Sequence, residues 1–179
     1  MSRLLARALF VAVVLLPACG SDGTTDVAVA LASQPLEGND DACAGVAAVL
    51  AAHHAAFSAH DAAAFAVTFT ADARHTGPHS VTNVGAQAIQ NVHTFLFSPA
   101  GPFTNPISTP TDLNVTCLRG GIATVDQDVA LTGYKGLTPG LVETSPGVFR
   151  TIQRFVLIKN HGQWRIQALQ LTAILPQFG

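Results

Sequence analysis

The stretch Phe57-Ser58-Ala59-His60-Asp61-Ala62-Ala63-Ala64-Phe65-Ala66-Val67-Thr68-Phe69-Thr70-Ala71-Asp72-Ala73-Arg74-His75-Thr76-Gly77-Pro78 decides how this chain folds. Asp61 stands where a helix needs an N-cap, because its carboxylate can accept from the free N–H groups of the first turn. It therefore divides one helix, ending near His60, from a second with Phe65 and Phe69 on one face. Ala73 to Thr76 reads as a short strand, stopped by Gly77-Pro78.

Working back towards the N-terminus, Val46, Val49, Leu50, His53 and Phe57 recur at helical spacing. They form the apolar stripe of an alanine-rich helix introduced by Asp40-Asp41. Forwards, a third helix starts after Gly85 with the stripe Ile89, Val92, His93 and Leu96. Ser98 to Pro110 then reads as a Pro/Gly/Thr loop. Leu113 to Leu118 alternates as a strand, and Gly120-Gly121 turns the chain into a long strand, Ile122 to Thr132. Lys135 to Gly147 reads as a second loop. Val148 to Ile158 and Trp164 to Ile174 form a hairpin around Asn160-His161-Gly162. Three helices followed by long antiparallel strands predict an α+β domain, its helices on one face of a curved sheet.

The first residues read as an address. Arg3 and Arg7 precede the uncharged apolar run Ala8 to Leu16, then Leu16-Pro17-Ala18-Cys19. The run is shorter than the ~20 apolar residues a spanning helix needs and has the layout of a secretory leader. Leu16 to Cys19 is similar to the lipobox of bacterial lipoproteins, which implies a leader over residues 1–18 and lipidation of Cys19. It also implies a membrane-anchored protein on the outer or periplasmic face of a bacterial envelope. The alternative is an ordinary leader that ends near a cysteine. Residues 19–40 are polar and Gly/Ser/Asp-rich at their start and read as a tether. Residues 41–179 are one domain of ordinary size.

Without Arg3 and Arg7 the chain keeps seven Lys and Arg against eleven Asp and Glu, a formal charge of −4. With only 11% charged residues and no basic stripe, no nucleic-acid partner is expected. Cys43 and Cys117 remain as a pair that an oxidising compartment would join in a disulfide; the alternative is two buried free thiols.

Two histidines, His53 and His93, occupy apolar helix stripes and so point inwards, where an unpaired polar group costs about 1–3 kcal/mol. His75 shares a strand face with Ala73. All three border one cavity if the helices cover the sheet, and histidine suits proton transfer near neutral pH. They come from separate elements with no HxH or HExxH spacing, so no metal site is expected. Gln127, Arg154 and Gln170 are polar residues on apolar strand faces. With a three-residue hairpin turn, Arg154 would lie opposite Ala168, with Gln170 one pair away, both on the Trp164 side. These four residues are candidate ligand contacts; a dimer surface is the other reading. Asp126 and Asp128 face outwards. His54, His60, His79 and His161 read as solvated. No P-loop, GxGxxG or GxSxG is visible, so no cofactor is expected.

The run from Phe57 to Ala73 resembles the "AGD…FA.LFA.DA" stretch of the SnoaL-like, or NTF2-like, superfamily. Gly85-Ala86-Gln87-Ala88-Ile89 resembles its "G..AI" helix start. His93-Thr94-Phe95-Leu96-Phe97 with Gly101-Pro102-Phe103 is similar to the SgcJ/EcaC branch, as is Gly162-Gln163-Trp164-Arg165-Ile166 with Gln170-Leu171-Thr172. The resemblance spans about residues 46 to 175. It implies a cone of three N-terminal helices packed on a curved, mostly antiparallel sheet, and a homodimer built through that sheet. Against the ketosteroid-isomerase members, residues 53 to 78 align without a gap. His53 stands at the oxyanion-hole tyrosine and Gly77 at the aspartate base, so isomerisation by that mechanism is not expected.

Three functions follow as expectations. The first is an envelope-anchored pocket protein binding a small apolar or cyclic ligand. The second is a cofactor-free isomerase, dehydratase or cyclase using His53, His75 and His93 as acid and base. The third is a structural dimerisation module. A pocket lined by the three histidines with a perturbed pKa points to an enzyme, an apolar cavity with histidines tied to backbone to binding, and a filled interior to the structural module.

Overall fold

A computed structural model describes residues 43–176. The leader, Cys19 and the tether lie outside the described residues. Helix α1 runs Val46–Ser58, α2 Ala62–Val67 and α3 Ala86–Leu96. The strands are β1 Phe69–Thr76, β2 Thr82–Val84, β3 Ile107–Leu118, β4 Ile122–Thr132, β5 Phe149–Asn160 and β6 Gln163–Ala173. They form one sheet in the order β2-β1-β6-β5-β4-β3. Every pairing is antiparallel except β1 with β6.

Asp61 caps α2 as its side chain dictates: Oδ1 accepts from the Ala64 N–H at 2.8 Å. The helix is shorter than expected. Thr68 Oγ1 donates to the Phe65 carbonyl at 2.7 Å, and the Thr68 carbonyl accepts from Ile166 N–H at 2.9 Å. The sheet thus captures the chain one residue later, and Phe69 opens β1 instead of ending α2. Strand β2 was not expected at all; Gly77 N–H donates to the Val81 carbonyl and closes the turn that creates it.

Strand β3 begins at Ile107, inside what reads as a loop. Pro110 sits in it, which an edge strand tolerates, and a bulge between Thr111 and Asn114 breaks its alternation. The last hairpin turns on His161-Gly162 alone, because Asn160 pairs with Gln163. Both turn residues have positive φ, 49° and 79°, as a two-residue primed turn requires. Further along β6, Gln167 is bulged out between Ile166 and Ala168, held by Thr70 Oγ1 at 3.0 Å.

That bulge reverses the parity of β6, since one extra residue exchanges the two faces. Trp164, Ile166, Leu169 and Leu171 are turned inwards, Trp164 and Ile166 before the bulge and Leu169 and Leu171 after it. Arg154 pairs directly with Gln170, and both are exposed on the outer face. There Arg154 holds Asp126 at 2.6 Å and Arg150 holds Asp128 at 2.7 Å. Both aspartates point outwards as the alternation of β4 requires.

The core fills the concave side. Leu50, Phe65, Phe69, Ile89, Phe155 and Leu157 pack together beneath α1 and α3. Cys43 and Cys117 are joined by a disulfide, their Cα atoms 5.9 Å apart. It ties the entry to α1 to the edge strand β3.

Candidate functional site

One end of the cone is not filled. A cavity of about 240 Å³ lies between α1, α3 and the concave face of β4, β5 and β6. Its mouth is bordered by the β1–β2 turn and by Gly136 to Leu141 of the loop after β4. His79, on that turn, is exposed and hydrogen-bonded to Thr138 of the loop. No Asp, Glu, Lys or Arg is among the lining residues.

His53, His75 and His93 all line this cavity, and all three are buried. Phe65 stands between two of them. Its ring lies 4.3 Å from His53 and 4.1 Å from His93, centroid to centroid, with interplanar angles of 37° and 34°. The result is a tilted stack, His53–Phe65–His93, that keeps the two imidazoles apart. His75 meets the edge of His93 at 5.1 Å and 78°.

The hydrogen bonds fix two tautomers. His93 Nδ1 lies 2.8 Å from the Ile89 carbonyl oxygen, which can only accept. Nδ1 therefore carries the proton, and Nε2 keeps a lone pair. His53 Nδ1 faces Thr68 Oγ1 at 3.3 Å. The single hydroxyl proton of Thr68 is already given to the Phe65 carbonyl, so His53 Nδ1 donates and its Nε2 is again the bare nitrogen. His75 Nδ1 is buried without a partner.

Burial keeps all of these rings neutral. It pushes His93 down to about 4, an effect the bond to Ile89 partly offsets. It pushes His75 down to about 3, with neighbouring His93 adding to the drop. His53 is lowered well below the usual histidine value, first by burial and then by His54, His75 and His93.

A fourth histidine belongs to the site. His54, expected in solvent, is buried and lines the cavity. Its Nε2 donates to Gln127 Oε1 at 3.3 Å, and its Nδ1 accepts from Ser108 Oγ at 2.9 Å. Burial lowers its pKa to about 4 against the bond to Gln127. Alanines surround it in sequence, so α1 has no polar face against which an inward arc could be read, and the extension of β3 that brings Ser108 over it is unmarked.

The four candidate ligand contacts are dispersed. Gln127 is fully buried on the inner face of β4, behind the cavity wall. Trp164 belongs to the core at the far end, its Nε1–H given to the Ala44 carbonyl at 3.0 Å. Gln170 is on the outer face because of the bulge at Gln167, and Arg154 because the hairpin turn has two residues and not three while β5 alternates without a break, with Thr151, Gln153, Phe155 and Leu157 facing in. Gln153, which nothing in the sequence singled out, lines the cavity instead. Among the described residues no group of three or more His, Cys, Asp or Glu is placed to hold a metal ion.

Residues 46–175 match the model of the SnoaL-like domain. No curated protein matches the chain. Solved structures resemble it in fold. One is a candidate aromatic ring hydroxylase from Novosphingobium aromaticivorans, 17% identical, covering 78% of this chain and 94% of that one, TM-score 0.63. Another is a candidate scytalone dehydratase from the same organism, 12% identical, covering 76% and 89%, TM-score 0.63. A third is an uncharacterised protein with a cystatin-like fold from Caulobacter vibrioides, 16% identical, covering 76% and 92%, TM-score 0.65. At these identities the likeness is one of fold.

Proposed function

The chain belongs to the SnoaL-like domain family, and we propose that it binds a small, uncharged, largely apolar cyclic molecule in the cavity beneath α1 and α3. The observation that carries this reading is the electrical neutrality of the site. The lining holds no Asp, Glu, Lys or Arg, and its four buried histidines, His53, His54, His75 and His93, are kept neutral by burial. A charged ligand would lose its hydration and find no counter-charge. An apolar ring loses nothing and gains the apolar wall. The bare Nε2 atoms of His53 and His93 would orient a ring that carries a hydrogen-bond donor.

Thermal unfolding with added probes tests this. At pH 7.5, naphthalene or 2-naphthol should raise the melting temperature and 2-naphthoate should not. A ligand at 100 times its Kd adds about 2.7 kcal/mol. Leu171→Trp, which fills the cavity from β6, should remove the effect. Stronger binding of the carboxylate, or no binding of either uncharged probe, would contradict the proposal.

Acid–base catalysis is the second reading, favoured by the same bare Nε2 atoms and by the expected mark of an enzyme, three histidines lining one cavity with perturbed pKa values. It ranks second because general-base catalysis works best with a pKa near the operating pH, whereas His93 is held near 4. The open interior argues against a purely structural module.

We also propose that Cys19 is the lipidated N-terminus, so that the cavity is held at an envelope membrane. Mass spectrometry of the membrane fraction should find an acylated Cys19, and Cys19→Ala should release the protein. A soluble, unmodified chain beginning elsewhere would refute it.

A further inference from the structure

Two amide groups on the inner face of the sheet are left half-bonded. Gln127 on β4 and Gln153 on β5 are direct cross-strand partners. Both are buried, at 1% and 8% exposure. Side chains so paired have Cβ atoms about 4.5–5.5 Å apart. Gln127 uses its Oε1 to accept from His54, and its Nε2 has no partner. Gln153 uses its Nε2 to donate to Thr151 Oγ1 at 3.4 Å, and its Oε1 has no partner. One orphan is a donor and the other an acceptor.

These bonds form a chain with a single gap. Ser108 Oγ donates to His54 Nδ1, His54 Nε2 donates to Gln127 Oε1, and on the far side Gln153 Nε2 donates to Thr151. A buried amide atom without a partner costs about 1–3 kcal/mol, and here two such costs sit side by side. A group that both accepts and donates would remove both: it accepts from Gln127 Nε2–H and donates to Gln153 Oε1. A hydroxyl does this. A carbonyl or ether oxygen satisfies only Gln127, and a bare ring satisfies neither.

We propose that the Gln127–Gln153 pair is a hydroxyl-recognition subsite in the cavity wall, selecting ligands whose ring carries an OH group. The inference rests on the small-molecule reading and narrows its ligand class. Gln153 lines the cavity, while Gln153 Oε1 and Gln127 Nε2 are both covered; the Gln153 amide therefore turns about its side-chain bonds to admit the hydroxyl of a bound molecule, and Gln127 supplies the second bond from behind the wall. The subsite is distinct from the bare Nε2 atoms of His53 and His93, which accept only and do not tell a hydroxyl from any other donor.

Calorimetric titration of the domain with 2-naphthol, 2-methoxynaphthalene and naphthalene tests it. The native protein should bind 2-naphthol about tenfold more tightly than either analogue, the effect of one or two well-made hydrogen bonds. In Gln153→Leu the preference should shrink to about twofold, with naphthalene bound as before. A preference retained in Gln153→Leu means that the histidines hold the hydroxyl, and overturns the subsite. Equal binding of all three probes by the native protein also overturns it while leaving the small-molecule reading intact. Binding of none overturns both. Should Gln153→Leu fail to fold, a crystal structure of native protein with 2-naphthol decides. Its hydroxyl oxygen within hydrogen-bond distance of both Gln127 Nε2 and Gln153 Oε1 supports the subsite, and any other seat refutes it.

Discussion

Lowering the pH from 7.5 to 5 is expected to remove on the order of 6 kcal/mol of folding stability through three histidines alone. His54, His75 and His93 have pKa values near 4, 3 and 4 in the folded chain, against about 6.5 when unfolded. Below 6.5 the unfolded chain binds protons that the folded one refuses. Stability is therefore fully present above pH 6.5 and falls as the pH drops towards 4, by about 1.4 kcal/mol per pH unit for each ring. His53 is shifted in the same direction and adds to the loss. Since an ordinary domain is stable by about 5–15 kcal/mol, this is a large share of the total, and the melting temperature should fall steeply between pH 6.5 and 5. Thermal unfolding from pH 8 to 4.5 measures this. A melting temperature that does not change between pH 7 and 5 would mean that the rings are solvated or paired with acceptors that welcome a proton.

Replacing Phe65 by Ala should cost about 3–5 kcal/mol, the range for deleting a buried phenylalanine. Phe65 is 2% exposed, and its ring touches Phe69 and Phe57 as well as His53 and His93. Its loss removes the shared face of two imidazoles and joins the cavity to the core. Phe65→Leu keeps most of the volume and should cost less than half as much. Denaturant unfolding at pH 7.5, where the histidines do not titrate, isolates the packing effect. A loss below about 1 kcal/mol for Phe65→Ala would show that neighbouring side chains collapse into the space, and the stack would lose its structural role.

Much of this architecture is readable where local chemistry is unambiguous. Asp61 divides α1 from α2 because a carboxylate at that point has only one good use. Strand β4 appears with its observed ends, Ile122 and Thr132, because Gly120-Gly121 precedes a clean alternation. His53 and His93 are legible as inward because they interrupt apolar stripes. The site's polar floor is not legible, for a geometric reason. The bulge at Gln167 exchanges the faces of β6 halfway along and sends Gln170 outwards, while the two-residue turn in place of a three-residue one leaves Arg154 on the outer face of β5; no local residue pattern announces either. The bulge at Thr111 to Asn114 and Pro110 hide the first half of β3 in the same way, and with it Ser108. His54 escapes notice because Ala-rich α1 is apolar nearly all round.

The account depends most directly on His53 and His93 being neutral, with the proton on Nδ1 and a lone pair on Nε2. Nitrogen-15 NMR of the histidine-labelled protein reads both facts for each ring. Between pH 8 and 6, where the fold persists, His53 and His93 should each show one protonated, pyrrole-type Nδ1 and one bare, pyridine-type Nε2, with no change across the range. Imidazolium signals at pH 6, or protons on Nε2, would contradict it.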